Sequence, residues 1–307
     1  MPKDKTTKYL AVFLQDKPFL GNQIVLIPFF HFLRRKYPDH RIIVCASVQA
    51  CVVPQAFGYI DIFHPYPSAK DALAYLRVVA ELKKKNIQVA YLHRRHSIKT
   101  GLLGWLGSGN KLVGFSAKTT GLFLNKAVQF DLEGYSAQNF LSLIGKKLSD
   151  FSKEFKRKAG DYFVIIPGGT FIQKKYPIEK YMTVASHLRR IAPVHFLLGK
   201  DMAAEISVLS DLSDTFVVHI DEPLEKLQDI IRKAAVVISN DCGPSHFAHI
   251  YDIPRVGLFS WASKINGWFY PTAKSVLLLP PKDKSIAHIE MERVIGEAIR
   301  LRLNNTF

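Results

Sequence analysis

The stretch VVISNDCGPSHFAHI, Val236–Ile250, runs from an apolar segment through Asn-Asp-Cys-Gly-Pro-Ser and back into apolar sequence. It reads as a buried strand (VVIS), a turn (NDCG) and the start of a helix (GPSHFAHI). Gly243 permits a tight turn and the close approach of a ligand. Pro244 suits the first helical position, where an amide hydrogen would be unpaired anyway. A strand that is apolar throughout and turns directly into a helix fits a parallel sheet covered on both faces.

The same unit repeats in both directions along the chain. YLAVFLQ, RIIVCAS, DIFHPY, VAYLHR and KLVGFS read as short buried strands in the first half. YFVIIPG, VHFLLG, FVVHI and RVGLFS join VVISN in the second. Amphipathic segments separate them. In KDALAYLRVVAELKKKN the residues Leu73, Leu76, Val79 and Ala80 recur at helical spacing. IEKYMTVASHLRRI and PLEKLQDIIRKA follow the same rule, and IAHIEMERVIGEAIRLRL predicts a closing helix over 286–303. Alternating strands and helices predict an α/β protein. The polar, charged DFSKEFKRKAGD between Asp150 and Asp161 is expected to be a linker. It would divide the chain into doubly wound Rossmann-like domains, 1–152 and 153–307, facing a central cleft, with the last helix free to pack back toward the first.

Composition bounds the function. At 307 residues and 48% hydrophobic content the chain has enough apolar sequence for sizeable cores. The start shows no signal-peptide pattern. The longest apolar candidate for a membrane span, LGNQIVLIPFFHFL, is interrupted by Asn22, Gln23 and His31 and is shorter than the ~20 residues a spanning helix needs. Cys45, Cys51 and Cys242 form neither a disulfide framework nor a zinc pattern. These features predict a cytoplasmic protein without a transmembrane segment. The formal net charge of +16 is unevenly placed. Residues 1–150 hold 21 Lys and Arg against 9 Asp and Glu, whereas residues 151–307 hold 21 against 17. The strongly basic half points to an anionic partner.

In such sheets ligands bind beyond the C-terminal ends of the strands. Two loops of the second half have the chemistry of a diphosphate site. After VVIS, the amides at the helix start favour phosphate, and Asp241 can orient the turn or accept from a ligand hydroxyl. After YFVII, in VIIPGGTFIQKKYP (Val164–Pro177), Gly168 and Gly169 free the backbone, Thr170 supplies a hydroxyl, and Lys174 or Lys175 a cation. Either loop alone is equally an ordinary turn, with His246 a buried core residue. Two in one domain predict a nucleotide-diphosphate pocket.

PGGTFIQKKYPIEKY (Pro167–Tyr181) and ISNDCGPSHFAHIYDIPRVGLFS (Ile238–Ser260) resemble the two signature loops of the lipopolysaccharide heptosyltransferases. FLGNQIVLIPFFHFLRRKYPDHRIIV (Phe19–Val44) resembles that family's opening strand-loop-helix-strand, and WASKINGWFYP its donor-side closing loop. The resemblance implies a GT-B fold and an inverting transfer of heptose from ADP-heptose, with no cofactor and no metal. It implies that Thr170 and Lys174 contact the donor diphosphate. Asp241, Cys242, Gly243 and His246 would wall the donor sugar and phosphates, and Asp201 would meet the ribose. Cys242 stands where many relatives have threonine, and Tyr176 replaces the usual tryptophan before Pro177. The implied acceptor is an anionic, Kdo-bearing lipid A core at the inner face of the membrane, reached by peripheral association. The basic residues expected beside it are Lys17, Arg94, Arg95 and Lys99.

One departure bears on catalysis. The family has Gly-Asp where this chain has Gly21-Asn22. That aspartate is taken as the general base, and an amide cannot do the same work, which is typically worth ~10²–10⁴ in rate. Asp16 in the same loop, His93 or His96 could replace it, or the protein could bind nucleotide sugar without catalysis. The two histidines could equally be ordinary loop residues. A sugar-nucleotide epimerase on the same architecture would keep the donor loops but leave the basic half without a role. A nucleic-acid binder lacks the interleaved aromatics or reading helix it would need. A dehydrogenase lacks GxGxxG after its first strand. His93/His96 and His246/His249 share an HxxH spacing without a third ligand, so no metal is expected.

Overall fold

In a computed structural model the described residues are 7–15, 17–66, 71–108, 111–155, 160–202, 205–206, 215–261, 263 and 265–305. The chain divides into two compact units: Met1–Leu132 with Ala137–Leu148, and Glu133–Ser136 with Ser149–Phe307. Each unit carries one six-stranded sheet, and every strand pair is parallel.

The first sheet consists of β1 (Lys8–Phe13), β2 (His40–Ala46), β3 (Ile62–Pro65), β4 (Ile87–Leu92), β5 (Leu112–Phe115) and β6 (Lys126–Val128), in the order β3-β2-β1-β4-β5-β6. The second consists of β7 (Phe163–Ile166), β8 (Val194–Leu198), β9 (Val217–Ile220), β10 (Val236–Asn240), β11 (Arg255–Leu258) and β12 (Ser275–Leu278), in the order β12-β11-β10-β7-β8-β9. The strand VVISN is β10, and all five of its residues are buried. Continuous burial is what a central parallel strand requires, because helices cover both faces. The sequence signal missed β6 and β12. Both are short edge strands; β6 is mostly exposed and lacks an apolar run, while β12, SVLL, carries one but is only half-buried.

Two further expectations are corrected. The helix Ala72–Lys83 turns Val79 and Leu82 into the first core, with Tyr75 and Val78 packed beside them, while Leu73 and Leu76 are exposed. This helix has apolar residues on more than one side, and packing rather than spacing chose among them. The expected linker begins as a helix, Leu148–Glu154, whose Phe151 is fully buried and packs on Phe155 and Tyr251; residues 156–159 lie outside the described residues. The last helix, Met291–Leu303, packs on the helix Ile178–Leu188 and on β10 and β11, and its Val294, Ala298 and Leu301 enter the second core. The stretch LGNQIVLIPFFHFL forms parts of two short helices, Leu20–Ile24 and Ile27–Lys36, and no described helix is long and apolar enough to cross a membrane.

Candidate functional site

In each sheet the strand order runs outward in opposite directions from one central pair, β1/β4 in the first and β7/β10 in the second. Loops leaving such a pair part toward opposite faces and leave a ligand-binding crevice at the strand ends. The loops singled out in the sequence leave these four strands.

At the second switch point a single buried side chain joins the two loops. Asn240, the last residue of β10, is fully buried. Its Nδ2 donates to the carbonyls of Pro167 (2.6 Å) and Gly168 (3.4 Å) at the end of β7. Its Oδ1 accepts from the Tyr176 amide (3.1 Å) and the Tyr181 hydroxyl (2.8 Å). The loop from Pro167 to Tyr176 is thereby pinned at both ends. Lys174, carried in the short turn Ile172–Lys174, reaches across to Asp241, with Nζ 2.7 Å from Oδ2. Both side chains are mostly covered, so this ion pair is screened less than a surface pair. Gly168 and Gly169 are buried in the loop floor and Thr170 is exposed. Asp201 falls in the turn Lys200–Met202 after β8; its side chain lies outside what is described.

The turn after β10 differs from its sequence reading. The helix begins at Ser245 and is six residues long, with Pro244 capping it instead of occupying its first position. The amides of His246 and Phe247 already donate to the carbonyls of Gly243 and Pro244. The Ser245 hydroxyl donates to the Cys242 carbonyl at 2.7 Å. Gly243 is not among the residues with positive φ. So short a helix, with these amides engaged, presents little positive terminus, and Lys174 carries the positive charge here. His246 is buried, its Nδ1 2.8 Å from the Tyr135 hydroxyl and its ring against Trp268. Burial pushes its pKa down to about 4, against a smaller opposing pull from Asp241, so the ring is neutral at neutral pH. The neighbouring His249, held low chiefly by burial, accepts from the Tyr270 amide. Among the described residues no cluster of His, Cys, Asp or Glu is placed to hold a metal ion.

The first switch point brings together a different set. Asn22 lines a small cavity of about 20 Å³ with Gln15, Lys17, Gln23 and His93, closed by Leu26, Ala50 and Phe140. That is room for about one water molecule or hydroxyl group. His93 is fully buried, stacked on Phe140 and edge-on to Phe29. Burial pushes its pKa down to about 3, and among the described atoms neither ring nitrogen has a hydrogen-bond partner. Gln23 ties the loop together, donating to the carbonyls of Pro18 and Gln49 and accepting from the Val53 amide. His96 does not line this cavity; it is exposed in the turn after β4. Asp16 lies outside the described residues. Arg94 and Arg95 are half-buried in the β4 loop, the Arg95 guanidinium 4.1 Å from the centre of the Phe130 ring, and Lys99 is exposed on the helix Ile98–Ser108.

The sequence reading missed Asn240, Tyr181, Gln15, Gln23 and Tyr135. For Asn240 a signal existed: an amide side chain ending an apolar strand that must be buried. Tyr135 reaches His246 from the short segment Glu133–Ser136, which crosses into the second unit, and no local pattern reports that.

The model of glycosyltransferase family 9 (heptosyltransferase) matches residues 117–279, which include both loops of the second switch point. The chain belongs to glycosyltransferase family 9. Its fold agrees. A family 9 glycosyltransferase from Veillonella parvula superposes with a TM-score of 0.70 at 17% identity, covering 97% of this chain and 98% of that one. The ADP-heptose lipopolysaccharide heptosyltransferase II of E. coli gives 0.69 at 18% identity, over 98% and 100%. E. coli heptosyltransferase WaaC with ADP gives 0.67 at 15% identity, over 96% and 100%. The two sheets are thus those of a GT-B-like fold. No curated protein matches the sequence. This family 9 member is a glycosyltransferase.

Proposed function

We propose that this glycosyltransferase moves a heptose from ADP-heptose to a phosphorylated, Kdo-bearing glycolipid core, with inversion at the anomeric carbon and without a metal or other cofactor. The observation that carries the reading is the Lys174–Asp241 pair, held between two switch-point loops by Asn240. A lysine fixed at such a place offsets charge on a diphosphate leaving group. The similar structures that hold ADP and ADP-2-deoxy-2-fluoro-heptose favour the same donor class.

In this reading the second unit takes the donor. Gly168, Gly169, Gly243 and Cys242 let the diphosphate approach the backbone, with Thr170 and Lys174 on its oxygens. Asp241 and neutral His246 face donor hydroxyls, and Asp201 the ribose. The first unit takes the acceptor, with Lys17, Arg94, Arg95 and Lys99 meeting its anionic groups at the cytoplasmic face of the inner membrane. The acceptor oxygen attacks the anomeric carbon, the bond from that carbon to the diphosphate breaks, and ADP leaves. The cavity beside Asn22 suits one acceptor hydroxyl, which can accept from the N–H of the buried imidazole of His93 while its own proton leaves to the base. Such a bond relieves a buried polar group whose isolation costs about 1–3 kcal/mol.

Neither Asn22 nor His93 is a useful base, the first because it is an amide and the second because burial weakens it. The proton goes to Asp16 or His96. Two variants separate them: His96→Ala removes most of the turnover if the imidazole takes the proton, and Asp16→Asn does so if the carboxylate takes it. The transfer itself is tested by ADP release from ADP-heptose on adding a delipidated phosphorylated core acceptor. Acceptor-dependent release is expected. Donor binding without release would contradict catalysis and favour the silent reading that Asn22 raises.

A further inference from the structure

The helix Ile98–Ser108, IKTGLLGWLGS, is not an ordinary surface helix. Its glycines point inward together with Leu103 and Leu106. A Cβ on Gly101 would lie 2.7 Å from the Phe123 ring, one on Gly104 3.1 Å from Leu112, and one on Gly107 2.7 Å from Leu82. The glycines therefore set the close packing of this helix on the first unit. Leu103 is buried beside them, but three bulky apolar residues are left outward: Ile98 is 57% exposed, Leu102 40% and Trp105 39%. They stand at i, i+4 and i+7, one face of a helix. The next turn extends this face. Gly121–Phe123 packs on the same helix, with the Phe123 ring 6.5 Å from that of Trp105, and Leu122 beside it is 89% exposed. Contiguous apolar exposure of this kind marks an interaction surface.

Charge identifies the partner. From Leu82 to Phe130 the chain carries nine Lys and Arg and no Asp or Glu. Lys99 lies on the helix itself, and Lys118 and Lys126 flank the turn; all three are exposed. An acidic protein would satisfy the cations but leave the leucines and tryptophan in water. An apolar protein face would bury the lysines against nothing. A bilayer with anionic headgroups meets both at once, taking apolar side chains into the acyl boundary and cations at the phosphates. Tryptophan is favoured at that depth.

We propose that the outward face of Ile98–Ser108 with Leu122 docks this protein on an anionic membrane surface. The proposal extends the reading of a lipid-borne acceptor and rests on that reading only for its purpose, since docking needs neither donor nor acceptor. The full chain is mixed with phosphatidylcholine vesicles with and without phosphatidylglycerol and followed by flotation. Binding to the anionic vesicles is expected, weakening as salt rises, with a blue shift of emission that Trp105→Phe removes. Leu102→Glu/Leu122→Glu should weaken binding by about tenfold or more, whereas Ile191→Glu, equally exposed in the second unit, should not. Equal binding by the double variant, equal binding to neutral vesicles, or no binding at all would overturn the proposal. So would a wild-type dimer that the double variant dissociates, because the face would then belong to a second copy of the chain. ADP affinity, measured without vesicles, reports the donor site separately, so failure of docking and failure of the donor reading are told apart. Circular dichroism and ADP binding of the double variant establish that it folds.

Discussion

The two switch points share one topology and differ in chemistry. Each is a central pair of parallel strands whose loops diverge. At β7/β10 a charged lysine–aspartate pair sits over a buried asparagine whose amide makes bonds in four directions. At β1/β4 the groups that line the cavity are amides, one lysine and an imidazole kept neutral by burial. A diphosphate needs fixed positive charge as it departs, whereas a sugar hydroxyl needs a hydrogen-bond partner and a place to send its proton. The contrast teaches that topology fixes where ligands meet the sheet, and that a few side chains at strand ends decide which ligand.

The largest expected effect tests the charged half. Lys174→Ala should lower kcat by about 10²–10³, with Lys174→Arg retaining part of it, as read by ADP release. An unchanged kcat would place the leaving-group charge elsewhere and erase the contrast. Next, Asn240→Leu leaves Pro167, Tyr176 and Tyr181 without their partner inside a core. It should cost about 3 kcal/mol or more, seen in the denaturant midpoint, and should weaken ADP binding as the loop loses its anchor.

Acidification sharpens the comparison from the other side. His93 has a folded-state pKa of about 3 against an unfolded value of ~6.5. Between these values the unfolded chain binds the proton that the folded chain refuses, so stability falls as pH falls. At pH 5 His93 alone should remove about 2 kcal/mol relative to pH 7. His246, with a value of about 4, adds to the same trend. His93→Phe should flatten the profile by its own share; a curve identical to wild type would mean that the imidazole is not held neutral. The smallest effect concerns Tyr176, whose hydroxyl donates to the Ile289 carbonyl at 2.9 Å. Tyr176→Phe should cost about 1 kcal/mol and leave turnover nearly intact.

Most of this fold was legible in the sequence because central parallel strands are apolar throughout and announce themselves. VVISN, YFVII and YLAVF needed no tertiary information. The short edge strand β6 carries no such run, and the helix Ala72–Lys83 offered more than one apolar side. The site was legible where it is built from local patterns, the Gly-Gly loop with its lysines and the turn after β10. It was not legible where packing decides. Nothing local shows that Lys174 and Asp241 meet, that Asn240 holds their loops together, or that His93 is buried beside Asn22 while His96 stays in solvent. Nor does it show that Pro244 caps a helix too short to supply the charge expected of it.

In the proposed reading the β7/β10 switch point holds an adenosine diphosphate through Lys174. Calorimetry of ADP, UDP and GDP against wild type and Lys174→Ala tests it most directly. Selective binding of ADP is expected, weakened by an order of magnitude or more in the variant. Binding of no nucleotide, or ADP binding that Lys174→Ala leaves unchanged, would contradict it.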